Sequence, residues 1–523
     1  MFFYLIVLST ALSLKCGVND SKPQRIDIAK GRQLQSIRGD NWEPIRIDYK
    51  YHNVESSKQR ELEPYVQTGI SWYKRLLKVK PLKIPIDTPS SYTCGTADSL
   101  QVVVESDLLI FIELETAAQT SAIALAGACL IDTVYDQPIL GLVSINYSAF
   151  EQLSDEDKIL VIKHEIAHVL GFSGGMYEYW KDENMQSYSN MLVKGQARGK
   201  TVTYLNTPKV KAAAREAFGC ETLPGLELEA TGGGTTAGSH WEKRVMYKDF
   251  MAPDLDIRDV SYTDITAAAF EDMGWYKVDY EYTTRALWGY QEGCEFFSEK
   301  CIQNESPAFA EFCNEADSSR TYCDYKRLHK GQCNLVTYSE DLPSKYQYFS
   351  DPRTGGSDLY LDYCPVIKQI DSSNCRGLEQ SEGQISPDYG EKICENCRCL
   401  EGTYSKSGST SYHAGCHEVE CYDTYALVYF GDVSVQCPFT GGEVEIEGYS
   451  GTVICPSTDI LCQPMPCPNN CSGQGVCKNG KCECFDGSVG GDCSSYTYSF
   501  GLQAHSTTAV VVSVFSACLL LVN

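Results

Sequence analysis

The sequence predicts an α+β protein built from several domains in series, and three observations lead to this prediction. The chain has 523 residues, more than a single hydrophobic core usually serves. Runs of strand length and runs of helical period are mixed within the first 290 residues. Only four of the 26 cysteines lie there, so the remainder of the chain is expected to be held together by disulfides in an oxidising compartment.

The composition is that of a globular protein, and its charge excludes one class of partner. Hydrophobic residues make up 43% and charged residues 22% of the chain, which is not typical of disorder. The net charge is −25 at pH 7. Phosphate binding requires a basic footprint, so the sequence indicates no nucleic-acid partner.

The start of the chain predicts export. Residues 2–14 form an apolar run that is too short for an ordinary transmembrane helix, and we interpret residues 1–15 as a signal peptide. Three sequons are compatible with secretion through the endoplasmic reticulum and are candidate N-glycosylation sites: Asn146, Asn304 and Asn470.

The end of the chain predicts attachment to a membrane. Residues 509–522 are apolar, and no Lys or Arg follows them. This pattern favours a spacer and GPI-attachment signal within residues 495–523, and the alternative is a membrane-anchoring tail helix. The small residues that could accept the anchor are Ser494, Ser495 and Ser499. We therefore expect a protein of the cell surface or the extracellular space.

The part spanning residues 43–290 mixes helices and strands, and a polar stretch at 16–42 before it is predicted to be a short pro-segment. Residues 173–239 form a long insert within this part. The periodicity predicts a helix at 61–80, strands at 100–104, 108–114 and 139–145, and a further helix from about residue 262.

A helix with clear start and stop signals precedes the insert. Ser154 is a good N-cap, and the three acidic residues that follow it suit the positive end of the helix dipole. The apolar pattern continues to Leu170, and Gly171 is a suitable residue for ending a helix.

The segment His164-Glu165-Ile166-Ala167-His168 lies in this helix. Two histidines four residues apart share one helix face, so both can bind the same metal ion. Glu165 is offset by one residue and can act as a general base on a metal-bound water without being a ligand. The alternative is a chance match, which is uncommon in a chain with eight histidines.

A zinc site requires a third protein ligand, and the usual metzincin pattern does not supply it here. In the motif HExxHxxGxxH, Gly171 occupies the glycine position, where the chain must turn sharply out of the helix. The position of the last histidine is occupied by Gly174. The standard pattern therefore fails at its third ligand.

The chain instead resembles the leishmanolysin family, in which a long insert separates the glycine from the third histidine. This resemblance implies His240, in Ser-His-Trp-Glu-Lys-Arg, as the third ligand of one zinc ion, with Met251 in a methionine turn below it. Plain core packing is the alternative for Met251. The matching segments are WEPIRI near the start, VIKHEIAHVLGFS at 161–173, AREAFGC at 214–220, LELEATGGG at 226–234 and DMGWYKV at 272–278.

The resemblance also implies a fold and an activity. It implies a metzincin-type catalytic domain, in which a twisted mixed sheet covers the active-site helix and a disulfide-rich domain packs beside it. The implied activity is hydrolysis of peptide bonds in proteins or peptides by a metalloendopeptidase that requires zinc.

Cys16 lies in a segment that resembles the cysteine switch of metzincin zymogens. A thiolate is a strong zinc ligand, so Cys16 would fill the open zinc position until the pro-segment is removed. The alternatives are a cysteine at the edge of the signal peptide or one half of a disulfide. Setting aside Cys16 and Cys518 leaves 24 cysteines, and this even number favours the switch.

The C-terminal half is expected to contain two disulfide-rich units. Residues 291–465 form a cysteine-rich domain; zinc knuckles are disfavoured because only Cys394 and Cys397 fit paired CxxC spacing. Residues 466–494 have an EGF-like spacing and are expected to be a spacer or binding element near the membrane. The resemblance implies the bridges Cys467–Cys477, Cys471–Cys482 and Cys484–Cys493.

Two further interpretations concern the histidines outside the motif and a competing function. His413 and His417 are four residues apart but flank a cysteine in a polar segment, and we interpret them as surface residues.

A catalytically silent adhesion protein would be expected to have lost Glu165 or the third histidine, and both are present. A metallohydrolase that acts on a substrate other than peptide also fits the motif alone.

Overall fold

The structure is a computed structural model, and it describes residues 14–18, 22–26, 38–115, 122–233, 236–255, 260–317, 320–377, 385–464 and, with short gaps, 467–496. Most of the predicted signal peptide and the predicted membrane-attachment tail lie outside the described residues, as does Asn470. Within the described part of the chain, no helix is both long and apolar enough to cross a membrane.

The first part of the chain forms a mixed α/β unit. Its helices are α1 (Ser56–Leu76), α2 (Tyr147–Phe150), α3 (Asp155–Leu170), α4 (Pro208–Phe218) and α5 (Asp264–Asp272). Its strands are β1 (Leu14–Val18), β2 (Gln24–Ile26), β3 (Glu43–Pro44), β4 (Ile47–Tyr51), β5 (Leu77–Val79), β6 (Ile86–Asp87), β7 (Val103–Val104), β8 (Leu108–Leu114), β9 (Ala124–Asp132), β10 (Pro138–Ile145), β11 (Leu192–Ala197), β12 (Lys200–Leu205), β13 (Leu226–Leu228), β14 (Asp254–Leu255) and β15 (Lys277–Val278).

The main sheet is mixed, in the order β14-β1-β9-β10-β8-β4. Strands β4, β8 and β10 run parallel to one another, whereas β9 pairs antiparallel with β10. Nearly all residues of strands β8 and β10 are buried, because both faces of these strands are covered, and this explains their mostly apolar sequences. The prediction of an α+β fold with a mixed sheet and a long helix packed against it is confirmed.

One predicted strand is much shorter than expected. The sequence predicts a strand at 100–104, but only β7 is regular. The carbonyl group of Leu100 accepts hydrogen bonds from the hydroxyl groups of Thr88 and Tyr92, and its side chain is exposed. The Leu100 carbonyl group, which a longer strand would have paired with a neighbouring strand, is therefore hydrogen-bonded to side chains of the local loop.

Helix α1 packs closely against α3. A Cβ atom added at Gly69 would lie 2.8 Å from Cγ2 of Ile162, so the absence of a side chain allows this approach. The predicted helix at 61–80 begins earlier, at Ser56, and ends at Leu76. It ends there because the next residues form β5, which pairs with β3 and β15.

The long insert contains regular elements that the sequence pattern did not predict. Strands β11, β12 and β13 form an antiparallel sheet, and α4 packs against α5. The disulfide between Cys220 and Cys294 joins the insert to the cysteine-rich domain. The insert is thus a folded unit that is joined covalently to the cysteine-rich domain.

The cysteine-rich domain is predominantly β-structure. Its elements are α6 (Glu295–Ser298), β16 (Ile302–Gln303), β17 (Ser306–Pro307), β18 (Tyr322–Cys323), β19 (His329–Cys333), β20 (Leu335–Thr337), β21 (Thr354–Gly356), β22 (Ile367–Asn374), β23 (Cys397–Gly402), β24 (His413–Cys421), β25 (Tyr425–Phe430), β26 (Val433–Pro438), β27 (Gly442–Glu445), β28 (Thr452–Cys455) and α7 (Thr458–Leu461). The largest sheet has the order β26-β25-β24-β23-β28-β27.

Disulfides hold the whole C-terminal half, and this prediction is confirmed. The described side chains form twelve disulfides, which use the 24 cysteines other than Cys16 and Cys518. Outside the EGF-like unit the pairs are Cys94–Cys129, Cys220–Cys294, Cys301–Cys364, Cys313–Cys333, Cys323–Cys399, Cys375–Cys416, Cys394–Cys397, Cys421–Cys462 and Cys437–Cys455.

The interpretation of His413 and His417 as surface residues is wrong. Both lie on β24 and are buried, because this strand is covered on both faces. The ring of His413 stacks on Tyr389, with 3.6 Å between ring centroids, and Nε2 of His417 lies 2.7 Å from the hydroxyl group of Tyr404. The two histidines are therefore part of the domain core.

The EGF-like unit contains β29 (Gly475–Lys478), β30 (Lys481–Cys484), β31 (Ser488–Val489) and β32 (Ser495–Tyr496). The structure joins Cys467 to Cys477, Cys471 to Cys482 and Cys484 to Cys493. The unit docks on α1, since its Val476 and Phe485 belong to the main hydrophobic core. The Arg75 guanidinium donates to the Cys484 carbonyl over 3.1 Å and lies 5.4 Å from the Phe485 ring centroid.

Replacing Arg75 with alanine is expected to loosen this docking. The change removes one hydrogen bond and one cation–π contact, together worth about 1–2 kcal/mol. Limited proteolysis should then release the EGF-like unit several-fold faster than in the wild-type protein. Arg60→Ala, on the exposed start of the same helix, is the matched control. Equal release from the Arg75 variant and its control would contradict the assigned role of Arg75.

Candidate metal centre

Helix α3 carries the HExxH segment and has the ends that the sequence predicts. The side chain of Ser154 accepts a hydrogen bond from the backbone N–H of Asp157 over 3.2 Å. The helix ends at Gly171, which has a φ of 124°. A Cβ atom there would lie 2.8 Å from the Trp275 ring, so both the backbone and the space favour glycine.

The structure brings three histidines together at one point. His164 and His168 lie on α3, and His240 comes from the far end of the insert. The Nε2 atom of His164 is 3.0 Å from Nε2 of His168 and 3.2 Å from Nε2 of His240. All three side chains are completely buried.

Each of these histidines is oriented by a backbone carbonyl group. The Nδ1 atoms of His164, His168 and His240 donate to the carbonyl oxygens of Phe250, Phe172 and Thr236, at 2.7, 2.6 and 3.0 Å respectively. A neutral imidazole that donates through Nδ1 has no proton on Nε2. Three Nε2 lone pairs therefore face one another.

Burial keeps all three imidazoles neutral. Desolvation lowers the pKa of His164 to about 3 and that of His240 to about 4, and the pKa of His168 is lowered well below its usual value. The neighbouring histidines add to the lowering for His164 and His168. Neutral imidazole is the form that binds a metal ion.

This donor set fits a zinc ion. Tetrahedral zinc with bonds of about 2.0–2.1 Å separates ligand nitrogens by about 3.3 Å, close to the Nε2 distances here. Three imidazoles leave the fourth position for water or substrate, as in catalytic zinc sites. Glu165 is also completely buried and precedes His168 by three residues on the same helix.

The loop that carries His240 is fixed to the end of α3. Gly174 occupies the place of the histidine in the standard motif, and its N–H donates to the Ser239 hydroxyl over 2.8 Å. On the other side, the carbonyl group of His240 accepts from the N–H of Glu229. These hydrogen bonds hold His240 beside the end of α3, where it replaces the third histidine of the standard motif.

The segment around Met251 adjoins the His240 loop. The Trp241 N–H donates to the Met251 carbonyl over 3.0 Å, and Met251 is completely buried. Asp249, two residues earlier, accepts hydrogen bonds from the Met251 N–H at 2.8 Å and from the hydroxyl groups of Thr263 and Thr266 at 2.6 and 2.8 Å.

Sequence reasoning did not single out Asp249 or its partners. Burial raises the pKa of Asp249 to about 6, against the lowering effect of its hydrogen bonds. The Thr266 hydroxyl also accepts from the Trp241 indole N–H over 2.9 Å, which links the carboxylate to the residue after His240. Thr263 is the N-cap of α5, and a threonine at a helix start followed three residues later by Thr266 was the one sequence signal that could have pointed to this cluster.

The structure also locates the backbone of Cys16 and two of the predicted glycosylation sites. Cys16 is on β1, where its backbone is in register with Ala124, and its side chain is outside the described atoms. Asn146 is half-buried and its side-chain amide donates to the Ala122 carbonyl, whereas Asn304 is exposed in the turn between β16 and β17.

Comparison with known proteins places the chain in a family. A family model described as leishmanolysin (Peptidase M8) matches residues 78–470. The chain is 30% identical over 355 residues to the leishmanolysin homolog of Crithidia fasciculata, covering 65% of this chain and 53% of that protein. It is 32% identical over 357 residues to the leishmanolysin of Leishmania major, covering 65% of this chain and 57% of that protein.

A longer alignment exists with an animal relative. The leishmanolysin-like peptidase of Caenorhabditis briggsae is 26% identical over 553 aligned residues, covering 80% of this chain and 83% of that protein. The match to the first two relatives spans little more than half of their length. The family model nevertheless covers most of the present chain, including the three converging histidines, and the predicted resemblance is confirmed: the chain belongs to the leishmanolysin family.

Proposed function

We propose that the chain is a zinc-dependent endopeptidase that hydrolyses peptide bonds in proteins, with His164, His168 and His240 as the ligands of one zinc ion. The observation that carries this proposal is the convergence of three unprotonated Nε2 atoms, each fixed by a carbonyl group at Nδ1. The membership of the chain in a peptidase family supports the same conclusion.

The chemistry divides between the metal and the protein. Zinc bound to the three histidines would lower the pKa of a water molecule and polarise the scissile carbonyl group. The Glu165 carboxylate accepts the proton of the attacking water and afterwards donates it to the leaving nitrogen. The carbonyl groups of Phe250, Phe172 and Thr236 hold the imidazole rings in their orientations, which is the usual role of such partners in metal sites.

The substrates of the proposed activity are proteins or peptides. We propose that the protein reaches this role by secretion and acts at the cell surface or in the extracellular space. The dense disulfides are typical of such a compartment. A GPI anchor at the C-terminal tail and a contribution to cell adhesion belong to the same proposal.

The pro-segment is proposed to keep the enzyme latent. Strand β1 lies between β9, with which it pairs in parallel, and β14, which follows Met251 closely. Lys15, the last residue of the predicted signal peptide, is in register with Asp254, and Cys16, the first residue of the pro-segment, is in register with Ala124. A substrate would need the same space, and a Cys16 thiolate placed there would occupy the fourth zinc position.

The predicted pro-segment extends to residue 42, and we propose that cleavage within it falls before Arg38. The Arg38 guanidinium donates to the Asp132 carboxylate over 2.9 Å, and both side chains are buried. The N–H of the next residue, Gly39, donates to the Pro81 carbonyl. Arg38 and the residues after it therefore belong to the folded catalytic unit.

Replacing Cys16 with serine is expected to make the unprocessed protein active. A hydroxyl group is a much weaker zinc ligand than a thiolate, so the fourth position would open to water. Casein cleavage by purified, unprocessed protein should rise at least about tenfold above the wild-type level. The double variant with Glu165→Ala separates this cleavage from contaminating protease. If unprocessed Cys16→Ser protein cleaves casein no faster than the unprocessed wild-type protein, the cysteine-switch proposal is contradicted.

Removal of the metal tests the proposed function directly. The protein from Lys15 to Ser495, expressed in a secretory host and processed, is expected to contain one equivalent of zinc and to cleave casein. Dialysis against a chelator should abolish cleavage, and one equivalent of zinc should restore it. Zinc binding without any cleavage after processing would instead favour the catalytically silent adhesion protein.

A further inference from the structure

The pro-segment pairs with strand β9 at two places along its length. Strand β1 pairs with residues 124–126 of β9, and β2 pairs in parallel with residues 130–132. Both described parts of the segment therefore lie along β9 as added strands, a mode of binding that proteins also use for extended peptides. When it leaves, the backbone N–H and C=O groups on this side of β9 become available to a substrate.

At the far end of β9, two basic side chains of the pro-segment meet acidic and aromatic residues. The Arg25 Nε donates to Asp136 Oδ1 over 2.9 Å, and its guanidinium lies 5.7 Å from the Tyr179 ring centroid. The Lys22 ammonium contacts the Glu178 carboxylate over 2.6 Å. Both contacts raise the pKa of the basic group.

The Asp136 carboxylate is held in place by the protein and not only by the pro-segment. Its side chain is 4% exposed, and its Oδ2 accepts from the Lys181 ammonium over 2.6 Å. Its backbone N–H donates to the Asp132 carbonyl, which fixes the turn after β9. Oδ1 is thus presented to the side on which Arg25 lies.

We propose that Asp136, Glu178 and Tyr179 form a subsite that binds an arginine or lysine side chain of the substrate after the pro-segment has left. This inference rests on the proposed endopeptidase function and names a feature of its substrates. Arg25 of the pro-segment occupies the subsite in the latent form, so its contacts show how a basic side chain is held. The guanidinium pairs with a carboxylate and lies near an aromatic ring, which are the two contacts that favour arginine.

The position of this subsite predicts where the basic residue lies in a substrate. Ala124, beside Cys16, is seven residues from Ile131, beside Arg25, a distance of about 23 Å along the strand. Antiparallel pairing is slightly more stable than parallel pairing, so a substrate is expected to run opposite to β9. The C-terminal end of β9 then faces residues about six to eight positions before the scissile bond.

Matched peptides test the subsite. Two quenched fluorescent peptides share one cleavage sequence and differ only in carrying Arg or Ala six to eight residues before the scissile bond. The processed wild-type enzyme is expected to cleave the Arg peptide with about tenfold higher kcat/KM, mainly through a lower KM. Glu178→Gln and Asp136→Asn are each expected to bring this ratio towards one. Glu183→Gln changes an exposed carboxylate five residues after Glu178 in the chain and should keep the wild-type ratio.

The outcomes separate this inference from the proposed function. If neither peptide is cut, the endopeptidase proposal fails. If both peptides are cut at equal rates, or if the preference survives in Glu178→Gln and Asp136→Asn, only the subsite is overturned. A third peptide with Arg six to eight residues after the scissile bond tests direction, and a preference for it would overturn the assigned position.

Discussion

Replacing Glu165 with alanine is expected to reduce peptide hydrolysis by about 10²–10⁴-fold, the range that a general acid–base group contributes. The variant should still bind one equivalent of zinc, because the three histidines are oriented by backbone carbonyl groups and not by Glu165. A variant that keeps its zinc but loses activity shows that the replaced residue transfers a proton and does not bind the metal.

The measurement compares zinc content and casein cleavage in the processed proteins. Glu156→Ala is the matched control, since Glu156 is an exposed carboxylate in the first turn of the same helix. The control should keep both zinc and activity. If Glu165→Ala loses zinc together with activity, Glu165 supports the site instead of acting as the base, and the assigned mechanism is wrong.

Local sequence signals were sufficient to predict helix α3. The N-cap, the acidic first turn, the histidine spacing and the final glycine all lie within 18 residues, and each acts through contacts inside the helix or at its ends. Such contacts depend on near neighbours in the chain, so they are readable from one sequence. The structure reproduces the predicted bounds from Ser154 to Gly171.

The third histidine could not be predicted in this way. His240 lies 76 residues after His164, and its position depends on the insert, whose strands and helix were not predicted. Only the resemblance to a family supplied it. A motif with fixed short spacing cannot predict a ligand whose position depends on how a long intervening segment folds.

Tertiary contacts also explain one wrong interpretation and one contact that the sequence did not predict. The pair His413 and His417 looks polar in sequence, but β24 is covered on both faces and buries them. The EGF-like unit is predicted to be a spacer or binding element, and the sequence pattern gave no sign that its Val476 and Phe485 join the main core beside α1. In both cases the deciding partner lies far away in the chain, where periodicity gives no information.

Asp249 is expected to be the residue outside the ligand set whose loss most strongly disturbs the metal centre. Its carboxylate accepts from the Met251 N–H and from the hydroxyl groups of Thr263 and Thr266, all in the protein interior. Asp249→Ala leaves these donors without their acceptor, at a cost of about 1–3 kcal/mol for each group. We expect the free energy of unfolding to fall by about 3–5 kcal/mol.

The same change is expected to weaken metal binding, because the Asp249 network reaches the His240 loop through Trp241. Outer partners of a metal site typically contribute about 10–100-fold in affinity, so zinc should pass to a competing chelator at correspondingly lower chelator concentration. Asp249→Asn keeps one acceptor oxygen of nearly the same shape and should lose less in both measurements. A purely structural role would lower the unfolding free energy and leave the zinc affinity of the folded protein at the wild-type value. Parallel losses in Asp249→Ala, partly restored in Asp249→Asn, would instead show that the carboxylate positions the third ligand.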